Sequence, residues 1–156
     1  MQYKTIKKNE MKIIGLKIVT TNENYQSVKD QKDLWERFFK ENIGDRIPNK
    51  LNAGEVLGVY TDYESDYRGK YSFVVGYEVA NFNNLPKDMV GLTIPSAKYA
   101  SFNNDEQITI DVKIGKIWQN IWESQIERTY KFDLEVYDLK TFMSTNPIVD
   151  IYIGIK

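Results

Sequence analysis

The stretch Tyr71-Ser72-Phe73-Val74-Val75-Gly76-Tyr77-Glu78-Val79-Ala80 decides the fold class. On an extended chain Tyr71, Phe73, Val75, Tyr77 and Val79 share one side and Ser72, Val74, Gly76 and Glu78 the other, so it reads as a long strand with its bulky side toward a core. Working back from it, Tyr63-Glu64-Ser65-Asp66-Tyr67-Arg68-Gly69-Lys70 reads as a polar hairpin connection and Val56-Leu57-Gly58-Val59-Tyr60-Thr61 as a second strand. Further back, Leu34, Trp35, Phe38 and Phe39 form one apolar arc of a helix. Ser27 is its expected cap, charged residues fill its first turn, and Gly44 and Pro48 stop it. A β-branched strand from Lys12 to Thr20 comes first and ends in the polar cluster Thr21-Asn22-Glu23-Asn24.

The same order returns downstream. Ile94-Pro95-Ser96-Ala97-Lys98-Tyr99-Ala100-Ser101-Phe102 reads as one strand, closed by Asn103-Asn104-Asp105-Glu106. Ile114, Ile117, Trp118, Ile121 and Trp122 keep helical spacing. Tyr130 to Lys140 and Ile148 to Ile155 are the last strands, parted by Ser144-Thr145-Asn146-Pro147. A strand-helix-strand-strand unit is thus written twice, over residues of about 11–80 and about 93–156. Short matches in register support duplication: Thr20-Thr21-Asn22-Glu23 with Phe102-Asn103-Asn104-Asp105, Gly58-Val59-Tyr60 with Glu135-Val136-Tyr137, and Val75–Val79 with Ile151–Ile155. The expected class is α+β, with an antiparallel sheet and the helices on one side.

Composition narrows the chemistry. With 156 residues, 42% of them hydrophobic, the chain fills one core and is read as a single domain, 1–156. Twenty-one Lys and Arg against 22 Asp and Glu leave a net charge of -1, so no direct nucleic-acid partner is expected. No apolar run reaches the roughly 18 residues of a membrane span, and the N-terminus lacks a signal-peptide core, so the expectation is a cytoplasmic protein without a membrane partner. The chain has neither His nor Cys, which rules out Cys nucleophiles, Ser-His-Asp triads, disulfides and His- or Cys-ligated metals. Acid-base work would fall to carboxylates, Tyr or Lys. No phosphate-cradling glycine loop is present, and Asp62–Tyr67 lacks the Gly and terminal Glu of a calcium loop, so neither cofactor nor metal is expected.

A set of segments in order and spacing carries a family resemblance. Leu34-Trp35-Glu36-Arg37-Phe38-Phe39, Gly58-Val59-Tyr60-Thr61-Asp62-Tyr63, Val75-Gly76-Tyr77-Glu78-Val79, Ile94-Pro95-Ser96-Ala97-Lys98-Tyr99-Ala100 and Arg128–Tyr137 together resemble the GyrI-like family. These are the effector-binding domains of AraC-type and related multidrug-sensing regulators. The resemblance implies two tandem repeats with a ligand groove at their pseudo-twofold junction. It also implies that the glutamate matched by Glu135 faces that groove and attracts cationic, aromatic small molecules. Many relatives carry a helix-turn-helix module first; only about ten residues precede the first expected strand, which points away from direct DNA binding.

Beside that implication stand the plainer readings. Glu135 points to the face opposite Leu134 and Val136, so if those two pack on the helices it faces the groove; the alternative is a solvated carboxylate paired with Arg128 or Lys131. Tyr60 and Tyr137, two residues beyond Gly58 and Glu135, line the groove or pack at the core edge. Gly58 leaves the groove room or marks a bulge. Trp35, Trp118 and Trp122 serve the ligand or the core, flat aromatics around one carboxylate being suited to cations. The expected function is binding of an amphipathic cation, in regulation or drug sensing with a possible protein partner. The alternatives are hydrolysis of strained-ring alkylating compounds, with Glu135 as base and Tyr60 or Tyr137 as donor, and a protein-inhibitor module acting through a surface.

Overall fold

Eight strands and two α-helices make up the computed structural model, which describes residues 3–156. The strands are β1 (Lys4–Lys8), β2 (Met11–Thr21), β3 (Glu55–Thr61), β4 (Lys70–Val79), β5 (Val90–Ile94), β6 (Ala97–Phe102), β7 (Arg128–Asp138) and β8 (Val149–Ile155). Helix α1 (Gln26–Lys40) joins β2 to β3, and α2 (Ile110–Glu123) joins β6 to β7. All pairings are antiparallel, in the order β1-β6-β8-β7-β3-β4-β2-β5. Exchanging β1, β2, β3 and β4 with β5, β6, β7 and β8 reverses this order into itself. The exchange axis falls between β3 and β7, where Gly58 is paired with Glu135.

The helices follow the same exchange. Leu34 and Phe38 of α1 are buried, as are Ile117 and Ile121 of α2. Each pair is followed along the chain by a half-buried tryptophan, Trp35 or Trp118, and an exposed aromatic, Phe39 or Trp122. Helix α1 starts differently from expectation. Its cap position is Tyr25, in the left-handed region and without a side-chain cap bond, and Ser27 lies inside the first turn, which carries no acidic residue. Asn22, the polar residue upstream, is spent on tying a distant loop: it donates to the Tyr67 carbonyl and accepts from the Tyr71 hydroxyl.

Two strand readings need correction. Ile94–Phe102 is not one strand: Pro95 and Ser96 separate β5, which pairs with β2, from β6, which pairs with β1 and β8. β1, in turn, lies within the residues read as preceding the first strand. It forms a sheet edge rich in lysine, with Ile6 as its one large apolar residue, so it carries no alternation to read.

These connections also shape the sheet. β1 and β2 sit toward opposite ends of it, yet only Asn9 and Glu10 join them, which holds their ends within roughly 11 Å. Pro95 and Ser96 impose the same limit on β5 and β6. The sheet must therefore curl until its two ends meet. Its inner face buries Ile13, Leu57, Val59, Val74, Ile94, Tyr99 and Leu134, and with the partly buried Ile6 and Tyr152 packed against them all eight strands and neither helix contribute. The outer face carries the main core, where Tyr71, Phe73, Val75, Tyr77 and Val79 pack with Leu34, Phe38, Ile117 and Ile121. The bulky side of β4 is the helix side, as read from its alternation.

Candidate ligand-binding site

Because side chains alternate along β7, Leu134 and Val136 fall on the inner, helix-free face, while Asp133, Glu135 and Tyr137 fall on the helix side. The condition that Leu134 and Val136 pack on the helices is thus not met. Glu135 nevertheless lies at the junction of the two halves, paired with Gly58 across the exchange axis. Glu135 as a residue is 2% exposed.

Three neutral donors hold that carboxylate. Tyr137 Oη donates to Oε1 at 2.6 Å, while Trp118 Nε1 at 2.7 Å and Tyr60 Oη at 2.9 Å donate to Oε2. No Arg or Lys pairs with Glu135 among the described residues. Burial raises its pKa above the ordinary carboxylate value, and the three donors only partly counter this. The same burial, reinforced by the Glu135 charge, pushes the Tyr60 and Tyr137 hydroxyls well above their ordinary values and keeps them protonated as donors.

The aromatic walls cross over between the halves. Trp118 of α2 meets Tyr60 of β3 edge-on at 5.4 Å, and Trp35 of α1 meets Tyr137 of β7 edge-on at 5.1 Å. Gly58 breaks this symmetry. A Cβ there would lie 2.9 Å from the Phe73 ring and 3.2 Å from Glu135 Oε1, so the missing side chain admits Phe73 and the carboxylate. Regular pairing to β4 and β7 on either side of Gly58 leaves no bulge. The structure therefore gathers Glu135, Tyr60, Tyr137, Trp118 and Gly58 at one point and sets Trp35 behind Tyr137. Trp122 stays outside: it is 62% exposed and packs 6.0 Å from Trp118 without reaching Glu135.

A second buried carboxylate was missed in the sequence. Asp133, 0% exposed, takes Arg128 Nη2 at 2.9 Å, the Tyr63 hydroxyl, and the Gly154 amide at 2.9 Å. Arg128 was considered only as a partner for Glu135; it pairs with Asp133 and stacks on Tyr130, 4.3 Å away. In a regular strand positions 128 and 133 face opposite ways. A register shift between them, with Tyr130 at a φ of 54°, rephases the strand and brings them together. Tyr63 is the tyrosine that the polar β3–β4 connection lends to the site's edge.

No group of metal-ligating side chains forms among the described residues, and none of their helices is long and apolar enough to cross a membrane. The fold is shared with several solved structures. A protein designated SAV2435, solved bound to tetraphenylphosphonium, aligns with a TM-score of 0.82 at 18% identity, over 100% of this chain and 94% of its own. An integron cassette protein of Vibrio cholerae aligns with a TM-score of 0.75 at 24% identity, over 99% of this chain and 95% of its own. In sequence, the candidate transcriptional regulator YobU of Bacillus subtilis (strain 168) is 26% identical over 129 residues, 79% of this chain and 78% of its own. The family model of integron-associated effector binding proteins matches residues 5–155, and the chain belongs to that family.

Proposed function

We propose that this chain binds amphipathic aromatic cations at Glu135 and serves regulation or drug sensing through a partner protein. The observation that carries this reading is a buried carboxylate held by three neutral donors and no cation, walled by Tyr60, Tyr137 and Trp118. An uncompensated buried charge is costly to the fold, and a ligand cation would supply the missing countercharge while its rings cover the aromatic walls. The tetraphenylphosphonium bound by SAV2435 is a ligand of this chemistry on the same fold. Binding is favoured over general-base hydrolysis because both carboxylate oxygens already accept hydrogen bonds from Tyr60, Trp118 and Tyr137, which compete with a water for the same oxygens.

Calorimetry with tetraphenylphosphonium and a neutral isostere, in the native chain and in Glu135→Gln, tests the reading. Losing a charge-assisted contact should weaken the cation by about 1.5–3 kcal/mol, roughly 10- to 100-fold, and leave the isostere unchanged. Equal weakening of both ligands, or of neither, would remove Glu135 as the charge anchor.

A further inference from the structure

The connection between β7 and β8 carries Phe142 against three aromatic rings. Its ring lies 5.5 Å from Tyr137, 5.7 Å from Phe39 and 6.1 Å from Trp35. Tyr137 belongs to two sites at once: its ring packs on Phe142 and its hydroxyl donates to Glu135. Phe142 thus places an aromatic ring against the far side of the group that contacts the carboxylate.

The loop is tied to other elements at its ends and bonded only to itself around Phe142. Leu139 N donates to the Gly54 carbonyl at 2.9 Å, and the buried Lys113 ammonium donates to the Pro147 carbonyl at 2.9 Å and to Asn146 Oδ1 at 3.3 Å. Among the described residues, the hydrogen bonds of Thr141 and Ser144 stay inside the loop: Thr141 Oγ1 donates to Asp138 Oδ2, Ser144 Oγ donates to the Thr141 carbonyl, and Ile148 N donates to Thr141 Oγ1. Met143, next to Phe142, is 89% exposed. The corresponding β3–β4 connection is instead cross-tied to other elements, by Tyr63 to Asp133 and by Asn22 to the Tyr67 carbonyl.

Resting on the reading that Glu135 receives a cation, we propose that the slot of Trp35, Phe39 and Tyr137 is a second subsite that takes a flat neutral ring of the same ligand. Phe142 is its resident occupant, and the loop withdraws that ring by swinging on its two tied ends. Ring-for-ring exchange keeps the aromatic contacts. Apparent affinity is lowered by the fraction of molecules whose slot is filled, so removing the plug tightens binding. The ligand class follows: a molecule with a cationic centre and an aromatic ring, set on the two sides of Tyr137.

The test titrates a neutral polarity-sensitive dye, Nile red, and tetraphenylphosphonium into the native chain, Phe142→Ala, Met143→Ala and the double variant Phe142→Ala with Glu135→Gln. Phe142→Ala should bind the dye about tenfold more tightly, about 1.4 kcal/mol, and Met143→Ala should not. The dye gain should persist in the double variant, and Phe142→Leu, which keeps most of the bulk, should show a smaller gain. Equal dye affinity in the native chain and Phe142→Ala, or an equal gain in Met143→Ala, overturns the slot. If the dye gain stands while tetraphenylphosphonium ignores Glu135→Gln, the charge anchor falls and the slot remains.

Discussion

Asp133 and Glu135 stand two residues apart on one side of β7, both cut off from water, but their surroundings differ in charge. Asp133 faces the Arg128 guanidinium, a tyrosine hydroxyl and a backbone amide. Glu135 faces two tyrosine hydroxyls and an indole N–H, all neutral. Burial alone would lower the Arg128 pKa, and the adjoining Asp133 charge more than restores it, so this ion pair is complete within the chain. The Glu135 arrangement is solvated by hydrogen bonds yet electrically incomplete. Burial alone therefore does not distinguish the two carboxylates; the presence or absence of a countercharge does.

The largest expected effect tests the complete member of the pair. Arg128→Met leaves Asp133 buried without a cation and should cost about 3–5 kcal/mol of stability by urea denaturation. Adding Asp133→Asn should return part of that loss, because the stranded charge is gone. A loss under about 1 kcal/mol in Arg128→Met would place Asp133 and Glu135 in the same class.

A smaller effect of opposite sign is expected at Glu135. Its folded-state pKa is raised by burial, so the folded chain holds the proton more tightly than the unfolded one. The charged form therefore costs stability above the raised pKa, and this cost is absent once the pH falls below the ordinary value of about 4.3. Glu135→Gln should gain stability at neutral pH, read as a higher urea midpoint. Its amide can donate to the Tyr137 oxygen while its carbonyl takes Tyr60 and Trp118. The gain should vanish in thermal unfolding near pH 4; a loss at neutral pH would mean the carboxylate stabilises the fold as Asp133 does. The smallest effect belongs to Trp122→Ala, which should change stability by less than about 0.5 kcal/mol, since Trp122 is exposed and touches neither carboxylate.

Much of this arrangement was legible in residue patterns, for definable reasons. β4 could be read because five bulky residues alternate without interruption, and α1 and α2 because each carries adjacent apolar pairs one turn apart. The equivalence of Gly58 and Glu135 followed from the duplicated units, while their direct pairing across β3 and β7 did not. β1 was hidden because Lys4-Thr5-Ile6-Lys7-Lys8 is an edge strand whose pairing depends on backbone bonds to Ser101–Ala97 rather than on buried side chains. The Arg128–Asp133 pair was hidden because its geometry depends on a bulge, and strand parity places the two residues on opposite faces. Phe142 was passed over because loop residues have no period, so only the folded chain shows which rings it meets.

The exchange of outer strands between the halves has a consequence for how the chain reaches its native state. β1 extends the second half by pairing Lys4 with Ser101, and β5 extends the first by pairing with β2 across Gly15 and Val90. Neither half can complete its own sheet from its own residues, so the repeats cannot assemble one after the other like beads. Contacts of such long sequence separation place folding in the slow, high-contact-order regime of milliseconds to seconds, with the loop-closure entropy of the central segments lost before the outer strands can pair. A cut before Met11 would leave its exposed edge on β6, in the half of the molecule farthest along the chain from the cut.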